Sequence, residues 1–203
     1  MPDGTAFSQM ACIPIAGLTA LQALVTHGKL QKGESVLING ASGGVGHLTL
    51  QIAKTYGANV TAVCSSRNVD FVKALGAGQV IAYDKENIHN HDKKYDLIID
   101  THGNLFYNDY QRMGHRGVMV GFTTLGHMMS MLMKRAIGKF PLAMFTAEAN
   151  TRDLDTLASL VKTGAINVHI EKTYPYKDIP EAIRYIEAMR TRGKVAMLWE
   201  TAI

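Results

Sequence analysis

The amino-acid sequence predicts an α/β fold, a doubly wound parallel sheet with helices on both faces. Short strands that are nearly all apolar alternate with helical segments, which is typical of a parallel sheet covered on both sides. The first strand, Val36–Asn39, runs into a glycine-rich turn and then a helix. That order of elements is the core of a Rossmann-type domain.

The elements of the first two thirds of the chain each have a signal in the sequence. Ile15–His27 has helical periodicity and Gly28 ends it, while Gly57 ends the helix after the glycine turn. The positions predicted to be buried in that helix are Val45, Leu48, Ile52 and Tyr56. Further strands are expected at Asn59–Cys64, Val80–Tyr83, Asp96–Asp100 and Gly117–Phe122, and further helices at Val69–Leu75 and Leu105–Met113.

The last third of the chain continues the pattern. A strand is expected over Pro141–Glu148 and a helix over Thr151–Thr163, capped by Thr151 or Asn150. A second helix, Ile179–Arg190, has a proline in its first turn, and Lys194–Trp199 is a final strand. Because no repeat or linker divides the chain, residues 1–203 are predicted to form one domain.

The glycine-rich turn, GASGGVG at residues 40–46, predicts a dinucleotide-binding site. Ala41 stands at the first glycine position of the common fingerprint, and Gly43 and Gly46 are the second and third. Both glycines are expected to leave room for a pyrophosphate and to adopt positive φ angles at little cost. Free amides at the start of the next helix favour its negative charge. The residues expected to line the pyrophosphate are Ser42, Gly43, Gly44 and Val45.

Four segments carry a resemblance to a known family. They are GLTALQAL (17–24), GASGGVG (40–46), VTAVCSSRN (60–68) and EAIRYIEAMRTRGKV (181–195). Together they resemble the medium-chain dehydrogenase/reductase superfamily and, within it, the zinc-independent quinone oxidoreductase-like branch.

The resemblance implies an NADPH-dependent oxidoreductase that transfers hydride to a quinone, an enone, an aldehyde or a ketone. The alternatives are an enoyl-thioester reductase and a non-catalytic NADPH-binding protein on the same fold. The family's β-rich catalytic domain precedes the nucleotide domain and has no counterpart in this chain. We therefore expect residues 1–203 to be the NAD(P)-binding domain of a longer protein, inactive in isolation.

The turn after the second strand predicts which cofactor is bound. It reads Cys64-Ser65-Ser66-Arg67, and no carboxylate stands there to accept hydrogen bonds from a ribose 2′-OH. Two hydroxyl groups and a guanidinium suit a 2′-phosphate instead. The sequence therefore predicts NADPH rather than NADH, although Arg67 is alternatively a solvated residue at a helix start.

Further cofactor contacts are expected where strands end, because ligands of open α/β sheets bind at their carboxyl edge. The residues concerned are Tyr83, Thr101, Gly103, Asn104, Gly121 and Phe122. The resemblance adds Thr19 near the nicotinamide ribose and Lys194 near the phosphates. Each has an alternative: Tyr83 as a buried core residue, Thr19 bonded to its own helix backbone, and Lys194 as a surface lysine.

No catalytic residue and no metal site are assigned from the sequence. Cysteine pairs of the Cys-x-x-Cys type and structural-zinc spacing are both missing. His89 and His91 form the closest histidine pair, in a polar loop where solvated side chains are expected. His102 could face the nicotinamide, and a local substitution without a catalytic role is the alternative.

Composition excludes several classes of protein. The chain is 47% hydrophobic and 19% charged, as in an ordinary globular protein, and its net charge of +4 is scattered. We expect no nucleic-acid partner, because no basic stripe with interleaved aromatic residues occurs. We also expect no membrane span and no secretion signal. Cys12 and Cys64 are expected to be reduced thiols in a cytoplasmic protein.

Two segments suggest contacts with partners. The run HMMSMLMK, residues 127–134, is predicted to pack against a partner or cover a ligand, because methionine adapts to irregular surfaces. A patch that touches a membrane is the alternative. The resemblance implies a homodimer through the edge strand Pro141–Glu148, and an ordinary last strand is the alternative.

Overall fold

A six-stranded, all-parallel sheet forms the centre of the computed structural model, which describes residues 6–199. The ends of the predicted domain, residues 1–5 and 200–203, lie outside the described residues. The strands are β1 (Ser35–Asn39), β2 (Asn59–Cys64), β3 (Gln79–Ala82), β4 (Tyr95–Asp100), β5 (Gly114–Met119) and β6 (Leu142–Met144). Their order is β3-β2-β1-β4-β5-β6, which confirms the predicted doubly wound parallel sheet.

Helices cover both faces of this sheet. They are α1 (Phe7–Ala11), α2 (Pro14–Gln22), α3 (Gly46–Thr55), α4 (Val69–Ala74), α5 (Tyr107–Met113), α6 (Leu125–Ile137), α7 (Thr151–Lys162) and α8 (Ile179–Glu187). Successive strand residues point to opposite faces. Ile38 and Leu97 therefore join the core that contains Leu48 of α3, whereas Leu37 and Ile98 join a second core.

A separate two-stranded parallel sheet stands beside the main one. It pairs β7 (Ile170–Pro175) with β8 (Lys194–Leu198), and α8 connects the two strands. The final strand was predicted, but β7 was not. Its sequence IEKTYP has no apolar run, and five of its six residues are only half-buried or exposed because one face of the small sheet is open.

Two predicted helices differ from the structure. The predicted helix Ile15–His27 is α-helical only to Gln22, and Ala23–His27 forms a π-helical turn. There the amide of Gly28 donates to the Ala23 carbonyl at 2.8 Å, five residues back. The second difference is that α3 is buried on nearly every side, not along one stripe, because it lies between the sheet and α2.

The Met-rich segment forms α6, which periodicity did not predict. Its first turn is capped by Thr124, whose hydroxyl accepts a hydrogen bond from the His127 amide at 3.1 Å. Only Met131 of this helix is fully buried. A helix that exposes most of its apolar residues does not show the usual inward stripe, so the sequence pattern was ambiguous.

Strands β5 and β6 have different limits from those predicted. β5 starts and ends three residues before Gly117–Phe122, because its pairing with β4 runs from Gly114, opposite Tyr95, to Met119, opposite Asp100. β6 is shorter than Pro141–Glu148 and ends at Met144.

The cap of α7 is decided by the structure. The Asn150 side chain accepts a hydrogen bond from the Asp153 amide at 2.8 Å, so Asn150 and not Thr151 caps the helix.

The glycines of the turn have different roles from those predicted. Gly40 has a φ of +80°, whereas neither Gly43 nor Gly46 adopts a positive φ. Gly46 is required by close packing instead, since a Cβ there would overlap the Gly40 carbonyl oxygen and lie 2.8 Å from the Ala41 Cα. The third glycine of the motif therefore brings α3 against the end of β1.

Replacing Gly46 by alanine is expected to lower the free energy of unfolding by about 1–3 kcal/mol, because the new methyl group overpacks rigid backbone. Gly126→Ala in α6 is the matched control, since a Cβ there has nothing within 4 Å. That control should stabilise by about 0.5 kcal/mol through helix propensity. Urea unfolding of both variants is the measurement, and equal stabilities would contradict the packing argument.

Candidate functional site

A cavity of about 470 Å³ lies at the carboxyl ends of the central strands. Most of the polar groups predicted from the glycine turn and the strand ends face it. The predicted site residues that line it are Ser42, Gly43, Gly44, Val45, Cys64, Arg67, Tyr83, Thr101, Asn104 and Lys194. Residues from the beginning, middle and end of the chain therefore meet in one place.

The other predicted site residues lie outside this cavity. Ala41 is fully buried behind the turn and Gly46 is inside α3. Thr19 donates its hydroxyl to the Ile15 carbonyl at 2.7 Å, within its own helix. Gly121 and Phe122 line a separate cavity of about 360 Å³, together with Met128, Leu132, Met144 and Phe145 among others. Their predicted cofactor contacts stay predictions.

Gly103 joins the loops that follow β4 and β5. It has a φ of +75°, and a Cβ at this position would overlap the Gly121 carbonyl. The hydroxyl of Thr123 also donates to the Gly103 carbonyl at 3.4 Å. The two loops therefore support each other at the carboxyl edge of the sheet.

The glycine turn presents free donors to the cavity. The amides of Gly44 and Val45 precede α3 and make no hydrogen bond to another group within residues 6–199. Lys194 lies beside them, its Nζ 3.6 Å from where a Cβ of Gly44 would be, and forms no ion pair in the described part of the chain. Such a cluster of unpaired donors at a helix start suits a phosphate group.

The start of β8 holds Lys194 in this position. The Gly193 amide donates to the Ser42 carbonyl at 2.9 Å, and the Lys194 amide donates to the His169 carbonyl at 2.8 Å. Gly193 needs its positive φ of 62°, and a Cβ would overlap the His169 carbonyl. The last strand is thus fixed directly to the glycine turn.

Asp100, at the end of β4, organises the floor of the cavity. Its side chain is completely buried. The carboxylate accepts hydrogen bonds from the Asn39 amide group, the Tyr110 hydroxyl and the backbone amides of His102, Gly103 and Leu105. Burial and the adjacent carboxylate raise the pKa of Tyr110 well above its usual value, so it stays a donor.

Asn39 extends this network toward the cavity. Its amide group donates at 2.8 Å to Asp100 and at 2.7 Å to the Asn104 side-chain oxygen. Thr101 completes it by donating its hydroxyl to the Asn39 carbonyl at 2.7 Å. The predicted residues Thr101 and Asn104 are therefore held in position by a strand end that the sequence reasoning did not single out.

The turn after β2 is engaged with two other segments. The Ser66 amide and hydroxyl both donate to the carboxylate of Asp84, at 2.7 and 2.5 Å. Arg67 donates to the Arg190 carbonyl at 2.7 Å. Ser65 Oγ, Asn68 Oδ1 and Thr191 Oγ1 are buried without a hydrogen-bond partner among residues 6–199. Asn68 and Thr191 both line the cavity, so it offers polar atoms that a ligand could satisfy.

Several cavity residues were missing from the predicted site. These are Asn39, Gly40, Asn68, Ile88, Met189, Arg190 and Thr191, together with His102, which was weighed but not assigned. Polar Asn39 ending an apolar strand was a usable signal. The segment 189–191 carried no such signal, because its place beside the cavity depends on how the start of β8 is attached to the glycine turn.

A family model described as zinc-binding dehydrogenase matches residues 75–197. The chain belongs to the medium-chain dehydrogenase/reductase superfamily, in its quinone oxidoreductase-like branch. The family resemblance of the four sequence segments is therefore confirmed.

Individual relatives agree with this membership. The chain is 33% identical over 232 residues to the bovine (Bos taurus) protein named NAD(P)H oxidoreductase RTN4IP1, mitochondrial, covering 97% of this chain and 57% of that protein. It is 30% identical over 214 residues to the trans-enoyl reductase pgmF of Aspergillus terreus, covering 96% and 60%.

A solved structure gives the same result for the fold. The quinone oxidoreductase from Coxiella burnetii superimposes with a TM-score of 0.84 at 30% identity, over 97% of this chain and 62% of that one. The chain thus spans less than two thirds of the length of these three relatives.

The family model's name raises the question of a metal. Among residues 6–199, no three or more His, Cys, Asp or Glu side chains are grouped so that they could hold one. The expectation of solvated His89 and His91 was wrong. His89 bonds to buried Asp109 at 2.7 Å, and His91 bonds to the Tyr95 hydroxyl at 3.0 Å, so both tie the β3–β4 connection to its surroundings.

No helix in the described part of the chain is both long enough and apolar enough to cross a membrane.

Cys64 is a poor nucleophile in this cavity. Burial, with a smaller contribution from the Asp84 charge, raises the pKa of its thiol to about 11. The thiol is therefore protonated at neutral pH, which agrees with a packing role at the end of β2.

His47 makes the site sensitive to acid. It is fully buried beneath the glycine turn, its Nδ1 lies 2.9 Å from the Gly43 carbonyl oxygen, and its Nε2 has no hydrogen-bond partner in the described part of the chain. Burial lowers its pKa from 6.5 to about 4, and the charge of Lys194 adds to the shift. The folded state therefore holds this imidazole neutral.

We expect the free energy of unfolding to fall as the pH is lowered from 6.5 to 4. In this range His47 is protonated in the unfolded chain but stays neutral in the folded chain. Above pH 6.5 the imidazole is neutral in both states and contributes nothing to the pH dependence. From pH 7 to 4.5 the loss due to this residue is about 2 kcal/mol.

Urea unfolding at the two pH values tests this expectation, with His47→Gln as the variant that removes the titrating group. The same substitution at exposed His102 is the control. An equal pH dependence in wild type and His47→Gln would show that His47 does not titrate as described.

Proposed function

We propose that residues 1–203 form the NAD(P)-binding Rossmann domain of an NADPH-dependent oxidoreductase, whose parent enzyme transfers hydride to a quinone, an enone, an aldehyde or a ketone. The observation that carries the proposal is the cavity in which the glycine turn, Arg67 and Lys194 converge at the carboxyl edge of the sheet. Open α/β sheets bind ligands at this edge.

The residues present fit such a cofactor. The free amides of Gly44 and Val45, with Lys194 beside them, would hold the pyrophosphate. Arg67 and Ser65 would hold a 2′-phosphate, since Arg67 lines the cavity and the Ser65 hydroxyl is buried without a partner. The proposed contacts of Tyr83, Thr101 and Asn104 follow from their places in the cavity wall.

This chain would bind and orient the cofactor rather than move protons. The cofactor itself would supply the hydride from its nicotinamide ring. Asp100 fixes the loop 101–105 at the wall of the cavity, because it accepts hydrogen bonds from the loop's amides. Among the described residues facing the cavity we assign no proton donor, so the catalytic residues stay unassigned, and the proton would come from the rest of the parent protein or from water.

The hydride acceptor has two candidate classes. The bovine relative is named an NAD(P)H oxidoreductase and the Coxiella one a quinone oxidoreductase. The Aspergillus relative, a trans-enoyl reductase, supports an enoyl-thioester as the second candidate. Assays of the full-length parent with quinones and with enoyl-CoA substrates separate the two classes. Cofactor binding without turnover of either would support a non-catalytic binding protein.

A fluorescence titration of the purified chain with NADPH, and separately with NADH, tests the proposed function. We expect saturable NADPH binding that weakens as salt rises, because phosphate contacts dominate. If neither cofactor binds, the titration is repeated on the full-length parent. Failure there as well would overturn the proposal.

Arg67→Ala is expected to weaken NADPH binding about tenfold and to leave NADH binding nearly unchanged, because a charge-assisted contact to phosphate is lost. Arg135→Ala, an exposed change on α6, is the control for altered net charge. Dissociation constants for both cofactors are the measurement. Equal losses for NADPH and NADH would remove Arg67 from the 2′-phosphate site.

We also propose that the chain forms a homodimer through β6. Within the described residues, β6 pairs on one side only, with β5. Next to it, α6 exposes Leu125, Met129, Met133 and Ile137, which recur every four residues. Met128 and Leu132 share a cavity with Met144 and Phe145, so this apolar face is continuous with the strand. An exposed patch of this kind commonly marks an interface.

Size-exclusion chromatography with light scattering is expected to give the mass of a dimer. Met129→Glu should shift the protein toward monomer, because it places a charge in the apolar face. Lys162→Glu, at the exposed end of α7, is the control and should leave the mass unchanged. A wild-type monomer at all concentrations would rule the dimer out.

The cytoplasmic location stays a prediction. The bovine relative's name includes the word mitochondrial, and a relative from Arabidopsis thaliana is named a chloroplast envelope quinone oxidoreductase homolog, so neither name supports it.

A further inference from the structure

The ends of β2 and β3 bring two short segments side by side at the edge of the cavity. The strands are parallel neighbours, and Cys64 pairs in register with Ala82. Ser65–Arg67 and Tyr83–Asp84 therefore leave the sheet next to each other. Cys64, Arg67 and Tyr83 all line the cavity, so both segments border the place proposed for the 2′-phosphate.

The carboxylate of Asp84 accepts hydrogen bonds from both donors of Ser66. One carboxylate oxygen accepts the Ser66 amide at 2.7 Å and the other accepts its hydroxyl at 2.5 Å. These bonds hold the pKa of Asp84 below its ordinary value, so the group is ionised at neutral pH. Ser66 was predicted as a phosphate ligand, yet its two donors already serve an anion of the protein itself.

We propose that Asp84 determines how strongly the site discriminates NADPH from NADH, an inference that rests on the proposed function. It withholds the amide and hydroxyl of Ser66 from a 2′-phosphate, and its own charge repels that group. The Arg67 guanidinium acts in the opposite direction. The chain therefore prefers NADPH only moderately, and Asp84 acts as a positioning residue through Ser66.

Substitutions can separate the effect of the Asp84 charge from the effect of its hydrogen bonds to Ser66. Asp84→Asn removes the charge and keeps one oxygen that can accept from Ser66, whereas Asp84→Glu keeps the charge and is the matched control. Ser66→Ala removes the hydroxyl alone. The double variant Asp84→Asn with Ser66→Ala closes a cycle that measures how far the two residues act together.

The experiment is a fluorescence titration of the 203-residue chain and these variants with NADPH and with NADH. We expect Asp84→Asn to strengthen NADPH binding about tenfold and to change NADH binding by less than about twofold. Asp84→Glu should bind NADPH like the wild type. The gain from Asp84→Asn should shrink in the Ser66→Ala background and at high salt.

Each outcome has one meaning. An unchanged or lower preference for NADPH in Asp84→Asn overturns the inference while leaving the proposed function intact, provided that the wild type binds cofactor. A wild type that binds neither cofactor, alone or within the parent protein, overturns both. Because the expected effect is a gain in affinity for one cofactor only, damage to the fold cannot imitate it.

Discussion

The buried carboxylate of Asp100 is the constraint on which the rest of the site depends. A charge removed from water is stable only when hydrogen bonds surround it. Asp100 obtains them from the end of β1, from α5 and from three backbone amides of the following loop, at positions 102, 103 and 105. Those donors must converge, so the floor of the cavity and the direction of the loop after β4 are fixed together. Neighbouring Gly103 and Gly121 then set the loop after β5.

Much of the fold could be predicted from local sequence. Strands such as Val36–Asn39 and Asp96–Asp100 are apolar because both faces of the sheet are covered, and the prediction placed them to within a residue. The glycine motif also located the cavity correctly, since its wall from Ser42 to Val45 comes from one continuous segment. Local signals were sufficient wherever one stretch of chain determines its own environment.

The remainder depends on contacts between distant segments. Nothing near Ser66 in the sequence indicates that its donors are taken by Asp84, or that Arg67 reaches the Arg190 carbonyl. Helix α6 escaped prediction because its apolar residues face outward, and β7 because it pairs only with β8. The role of Gly40 was also hidden, since it combines a positive φ with a close approach to Thr101, whose hydroxyl oxygen would lie 2.7 Å from a Cβ at position 40.

The bond from the Gly193 amide to the Ser42 carbonyl has a consequence for how the protein is made. One wall of the cavity is built from residues 42–45, but the opposite wall comes from residues 189–194, much later in the chain. During translation the earlier strands can pair while that wall is still inside the ribosome, and such long-range closure is slow. Any ligand of the finished cavity stabilises only chains that have passed this step.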